Sequence, residues 1–192
     1  MAGRSTTKSL RGASHPGLLV TSPPPFPVLA RGALGTPHRP DEWWWIGCHG
    51  GAGISTLARL TGAGRQAREA VPTPAYGDPV AAVLVTRATA FTLWQTMGVL
   101  EQWKQRDWPT TLRLLGLVVV AASPRRRPPR GAPRIVEERI DVMSRWLPRI
   151  WRVGWTDHLL AVDDPAALGI PPDVVVLRDD IRALLAPVGG QS

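Results

Sequence analysis

Lysine is nearly missing from this chain. Only Lys8 and Lys104 occur among its 23 basic residues, and the rest are arginine. Alanine, glycine and proline are abundant beside them, as a GC-rich coding sequence produces. The net charge of +8 therefore has a compositional explanation as well as a functional one, attraction to nucleic acid or another anionic partner. Cysteine is also scarce: Cys48 stands alone, which excludes an internal disulfide framework and a multi-thiolate zinc site. The four histidines (His15, His38, His49 and His158) lack metal-ligand spacing, so no zinc is expected. No apolar run approaches the ~18 residues a membrane span needs. Pro23-Pro24-Pro25 interrupt Gly17-Leu18-Leu19-Val20 before a signal-peptide core forms, so a cytoplasmic location is the expectation. No internal repeat is seen.

What is present divides into two parts. Residues 1–40 are rich in Ser, Gly, Pro and Arg without any period, and read as a basic, disordered arm. Residues 41–188 read as one folded domain, the chain being 44% apolar. Within it, Glu42–Gly47 is expected to be a strand whose tryptophans on both faces suit a central position covered by two layers. A helix is expected from Ser55 to about Ala63, then a connection over Gly64–Asp78, where Pro72, Pro74, Gly77 and Asp78 favour turns. Val80–Thr86 is the second strand. Thr89 can cap a helix from Ala90 to about Arg106 that carries a stripe of Leu93, Trp94, Met97 and Leu100. Leu114–Ala121 is the third strand, and Ser123–Pro133 an arginine- and proline-rich loop. From Pro133, residues Val136, Ile140, Met143 and Leu147 recur at helical intervals until Pro148. Arg149–Trp155 is a fourth strand, His158–Val162 a short fifth, and Asp173–Ala186 the last helix. Strands alternating with helices predict a three-layer α/β domain with a mainly parallel sheet of four to five strands.

The densest chemical signal is Trp43-Trp44-Trp45-Ile46-Gly47-Cys48-His49-Gly50-Gly51-Ala52-Gly53-Ile54-Ser55-Thr56. An apolar strand runs into a glycine-rich loop, and a helix begins at its far end. This is the context of a phosphate-cradling P-loop, in which backbone N–H groups and a helix N-terminus surround an anion. The candidate anion site is thus His49, Gly50, Gly51, Ala52, Gly53, Ile54, Ser55 and Thr56. Ser55 would touch a metal only as part of a magnesium nucleotide, and no other metal ligand is expected. Cys48, five residues, then Ile54-Ser55 also has the spacing of the cysteine phosphatase loop. That loop needs an arginine at position 54 and a thiol of lowered pKa.

The loop and the order of elements resemble the deviant Walker A ATPases of the ParA/MinD-like group, whose loop reads roughly K-G-G-x-G-K-[ST]-T. Here His49-Gly50-Gly51-Ala52-Gly53-Ile54-Ser55-Thr56 stands in its place. The segment Val83-Leu84-Val85-Thr86-Arg87 is similar to that group's strand ending in V-T-[RP], and Leu117–Val120 to the strand that follows. The resemblance covers 42–188 in outline and is specific over 47–58. It implies a P-loop fold, truncated here, because only about 24 residues separate Thr56 from Val80. It also implies that His49 replaces the group's signature lysine and Ile54 its phosphate-binding lysine. No apolar run ending in a Walker B aspartate lies between them. Asp78 precedes a strand, and Asp163 ends a run far too late in the order. Removing one preorganised donor costs roughly 3–4 kcal/mol in rate, so the expected activity is binding without significant ATP hydrolysis, with a protein partner.

Two alternatives stay open. One is a weak nucleotide switch that takes ATP or GTP with magnesium and draws the missing charge from His49 or Arg87. The other is a nucleic-acid accessory protein acting through the arm and through Arg125, Arg126, Arg127 and Arg130, whose contacts would be salt-dependent and sequence-blind. No aromatic interleaves those arginines, so base stacking is not implied. Of the nine tryptophans, Trp94, Trp103, Trp108, Trp146, Trp151 and Trp155 are expected mainly in the core, with those at helix ends candidates for a partner surface. Oligomeric state is not legible.

Overall fold

The computed structural model describes residues 41–67, 70–73, 79–124 and 132–186. The expected arm over residues 1–40 and the arginines at 125–127 and 130 lie outside them. Among the described residues five strands form one all-parallel sheet: β1 Trp43–Gly47, β2 Arg65–Gln66, β3 Val80–Arg87, β4 Leu112–Val120 and β5 Ile150–Val153, ordered β2-β1-β3-β4-β5. The helices are α1 Ile54–Thr61, α2 Ala90–Lys104, α3 Arg134–Ser144 and α4 Pro172–Leu185. They cover both faces of the sheet, which is the three-layer α/β arrangement the alternating pattern implies.

The strands are apolar almost throughout because each faces two layers. Trp44, Ile46, Leu84 and Leu117 pack with Leu93 and Leu100 of α2 and with Val136, Ile140 and Met143 of α3. Trp43, Trp45, Val83, Val85 and Val118 turn the other way, onto Leu57 and Leu60 of α1 and Val174, Leu177 and Ile181 of α4. Consecutive tryptophans in β1 thus serve opposite cores, as the period of two requires. The Trp45 indole N–H donates to the Ala63 carbonyl at 2.9 Å. Trp43 and Trp44 bury their N–H groups without an acceptor among the described residues, each an expense of about 1–3 kcal/mol. Trp108 and Trp151 are buried as expected, whereas Trp94, Trp103, Trp146 and Trp155 are only partly covered.

Two expectations are corrected. The connection over Gly64–Asp78 contains a strand, β2, paired with Trp44 and Trp45 of β1 and extended by Ala67 N–H donating to Trp45 O at 2.9 Å. Its two residues are long and polar, so no apolar run announces it; backbone pairing at a sheet edge makes it. Conversely, His158–Val162 is no strand. Asp157–Leu160 is a 3-10 turn closed by Leu159 N–H to Thr156 O at 3.1 Å, and Leu159 packs partly on the α1/α4 core. A short apolar run does not distinguish these outcomes. The last strand therefore stops at Val153, short of Trp155, and the Gly154 N–H is taken by Asp173 Oδ2 at 2.6 Å.

The strand order locates the site. From β1 the chain crosses through α1 to β2 on one side, then returns to β3 on the other and winds onward through β4 and β5. The direction of winding reverses between β1 and β3. In an open parallel sheet the loops diverge there and leave a crevice outside the carboxyl ends of the strands.

Candidate anion-binding site at the strand switch point

The loop from Gly47 to Gly53 leaves the end of β1 and re-enters the chain as α1. Gly51 and Gly53 take positive φ, 73° and 105°, a left-handed backbone that side-chain-bearing residues adopt only at a cost. Gly53 acts as N-cap, and its carbonyl accepts the Leu57 N–H at 3.0 Å. Cys48 N–H is tied to Val85 O at 2.9 Å. Among the described residues, the N–H groups of 53–56 show no backbone acceptor within hydrogen-bond distance, as the first turn of a helix leaves them. These donors rim a cleft of about 530 Å³ lined by Gly47, His49, Gly51–Thr56 and Arg87. Concave backbone donors at a helix N-terminus favour an anion.

Arg87, the last residue of β3, brings a fixed positive charge into the same cleft. Its Nε–H donates to the Gly51 carbonyl at 2.9 Å. Three further contacts hold it. Its backbone N–H donates to His49 Nε2 at 3.2 Å, its carbonyl accepts the Thr92 hydroxyl at 2.5 Å, and it pairs with Val120 of β4. The His49 Nδ1 lies 2.8 Å from the Gly50 carbonyl. Both ring contacts are met when Nδ1 donates and Nε2 accepts. His49 is thereby turned back onto its own chain as a clamp.

The other sequence-derived candidates separate. Gly50 and Gly51 are exposed and Ala52 is buried in the α1/α4 core. Ile54 is half-buried, leaning partly on that core. Thr56 lines the cleft, whereas the Ser55 hydroxyl donates to Gln66 Oε1 at 2.8 Å. Gln66 ends β2, the strand next to the loop strand, and offers an amide where a carboxylate would be needed to order a divalent cation. Among the described residues no group of three His, Cys, Asp or Glu is placed to hold a metal. Sequence reasoning missed Gln66, since nothing in its neighbourhood marks a strand.

No protein-family model, curated protein or solved structure matches this chain. The site rests on its own chemistry, and that chemistry removes one alternative. Cys48 is buried, and burial pushes its thiol up to about 12 even though Thr96 and Val85 bond to it. A phosphatase nucleophile needs an exposed thiolate; this thiol faces the core, and position 54 supplies no arginine. No helix among the described residues is long and apolar enough to cross a membrane.

Proposed function

We propose that this chain is a binding module of P-loop type, descended from the deviant Walker A group, which holds a phosphate-bearing ligand without hydrolysing it. The reading is supported above all by Arg87: a guanidinium enters the glycine loop's cleft from the neighbouring strand, where Ile54 has removed the loop's own cation. Arginine suits this place because its planar fork matches phosphate oxygens bidentately. The loop N–H groups and the α1 N-terminus supply the remaining favourable field.

Turnover lacks its parts. No lysine follows the growing charge on a departing phosphate, and the serine that would share a magnesium ion is engaged by a neutral amide. The site thus binds ground state and transition state alike, which confers affinity and no rate. A bound ligand would bridge the ends of β1 and β3 and so fix the surface presented by the loop and the start of α2, which is how such a module signals to a protein partner.

Thermal or urea unfolding with inorganic phosphate and pyrophosphate tests the reading. Ligand at one hundred times its dissociation constant is expected to add about 2.7 kcal/mol of stability, and Arg87→Ala to abolish that gain while keeping the fold. An unchanged melting curve with either anion, or robust magnesium-dependent phosphate release that requires Ser55, would overturn it.

A further inference from the structure

Beside the loop cleft lies a second cavity of about 210 Å³, between the first turns of α1 and α4 and the ends of β4 and β5. The two spaces share Gly53, Thr56 and Arg87 and so adjoin at these residues. Its wall is mainly apolar, with Leu57, Leu60, Val120, Val153, Leu159 and Val174 meeting there.

Several of the hydrogen-bonding groups of this wall are already engaged. Ala121 N–H donates to Val153 O at 2.9 Å, Leu159 N–H to Thr156 O at 3.1 Å, and Val174 N–H to Pro171 O at 2.9 Å. Gly154 N–H is held by Asp173 Oδ2 at 2.6 Å, and the Trp155 indole N–H by Asp157 Oδ1 at 2.6 Å. Pro165 and Pro171 have no N–H to offer. A wall with this apolar majority favours hydrocarbon, and it offers a heteroatom only the rim groups Thr56, Thr156 and Arg87.

We propose, on the footing of the phosphate-binding reading, that this cavity seats the body of the ligand, and that the body is an apolar ring or short branched chain rather than a nucleobase. The natural ligand class is then an aryl or alkyl phosphate monoester. The size agrees, since an apolar cavity of about 150 Å³ already holds a benzene ring. Arg87, standing at the junction, fixes the phosphate while the wall selects what is attached to it.

The experiment is a binding series on the whole native chain by calorimetry, with methyl phosphate, phenyl phosphate, 1-naphthyl phosphate and adenosine monophosphate. Affinity is expected to rise roughly tenfold or more from methyl to the aryl phosphates, as burial of a ring implies, with adenosine monophosphate weaker than 1-naphthyl phosphate. Val153→Phe, which narrows the cavity from the end of β5 at a residue that does not line the loop cleft, is expected to erase the aryl advantage and leave methyl phosphate binding unchanged. Equal affinity along the series, or a preference for the adenine nucleotide, would sink the apolar-body proposal while sparing the phosphate reading. Failure of every member to bind would sink both. The series on unaltered protein decides the matter even if the variant does not fold.

Discussion

At the residue scale, two neighbours in the loop have opposite fates. Cys48 points into the α2-facing core, and its thiol is pushed up to about 12 from an ordinary 9.0 because the buried thiolate is desolvated. A raised folded value means the native state keeps its proton where the unfolded chain loses it. The corresponding stability is complete below pH 9 and is lost as pH climbs from 9 towards about 12, at up to about 1.4 kcal/mol per pH unit. Urea unfolding between pH 8 and 11 should show that alkaline loss, and Cys48→Ala should flatten it. Folded protein should resist iodoacetamide at pH 8 and react only after denaturation. His49, one residue on, holds Arg87 through a single acceptor lone pair. His49→Ala is expected to weaken phosphate binding about tenfold, the worth of one well-placed hydrogen bond. His49→Gln, whose side-chain carbonyl can accept the same N–H, should recover most of it. Equal loss in both variants would show that the clamp is not what the imidazole contributes.

At the scale of elements, the segment after β3 is built to keep Arg87 still. Thr89 caps α2 in a reciprocal box: its hydroxyl accepts the Thr92 N–H at 3.1 Å while Thr92 Oγ1 accepts the Thr89 N–H at 3.3 Å. Behind it, the Thr96 hydroxyl lies 2.8 Å from Thr86 Oγ1 and 2.8 Å from the Thr92 carbonyl, so the buried polar groups of strand and helix satisfy one another. Thr89→Ala should cost about 1 kcal/mol, read from the urea midpoint. A harsher outcome is expected at the turn before β2. There Gly64 has φ 81° and lies against Trp43 and Trp45, a Cβ falling 2.7 Å from Trp43 Nε1 and closer still to Trp45. Gly64→Ala must move an indole, and a loss of about 3 kcal/mol or more is expected. Gly53→Ala, with nothing nearer than 4.0 Å, should cost only its left-handed backbone, about 1–2 kcal/mol. The contrast isolates crowding from conformation.

At the scale of the molecule, one sheet separates two cores, so both depend on the same central strands. β3 and β4 pair over the full length of β3 and are buried on both faces. Their amides are expected to exchange only by global unfolding, whereas those of β2, two residues at an edge, should exchange through local opening. Hydrogen exchange by mass spectrometry measures this order, and early exchange at Val83–Val85 would contradict it.

Much of this plan was legible in the chain. Apolar runs marked β1, β3 and β4 because strands covered on both faces must be continuously hydrophobic. Thr89 marked a helix start through its capping hydroxyl and Pro133 through its fixed φ, and the run of glycines marked the loop between β1 and α1. By itself the sequence determined the alternation of elements, the layers and the position of the loop, since these follow from local propensity and from which residues must leave water. Only the tertiary structure decided the rest. It made an edge strand of polar Arg65–Gln66, coiled 158–160 into a turn, sent Cys48 inward, and set Arg87 across the sheet's switch point against Gly51. These outcomes depend on partners distant in sequence, and neither composition nor period records such partners.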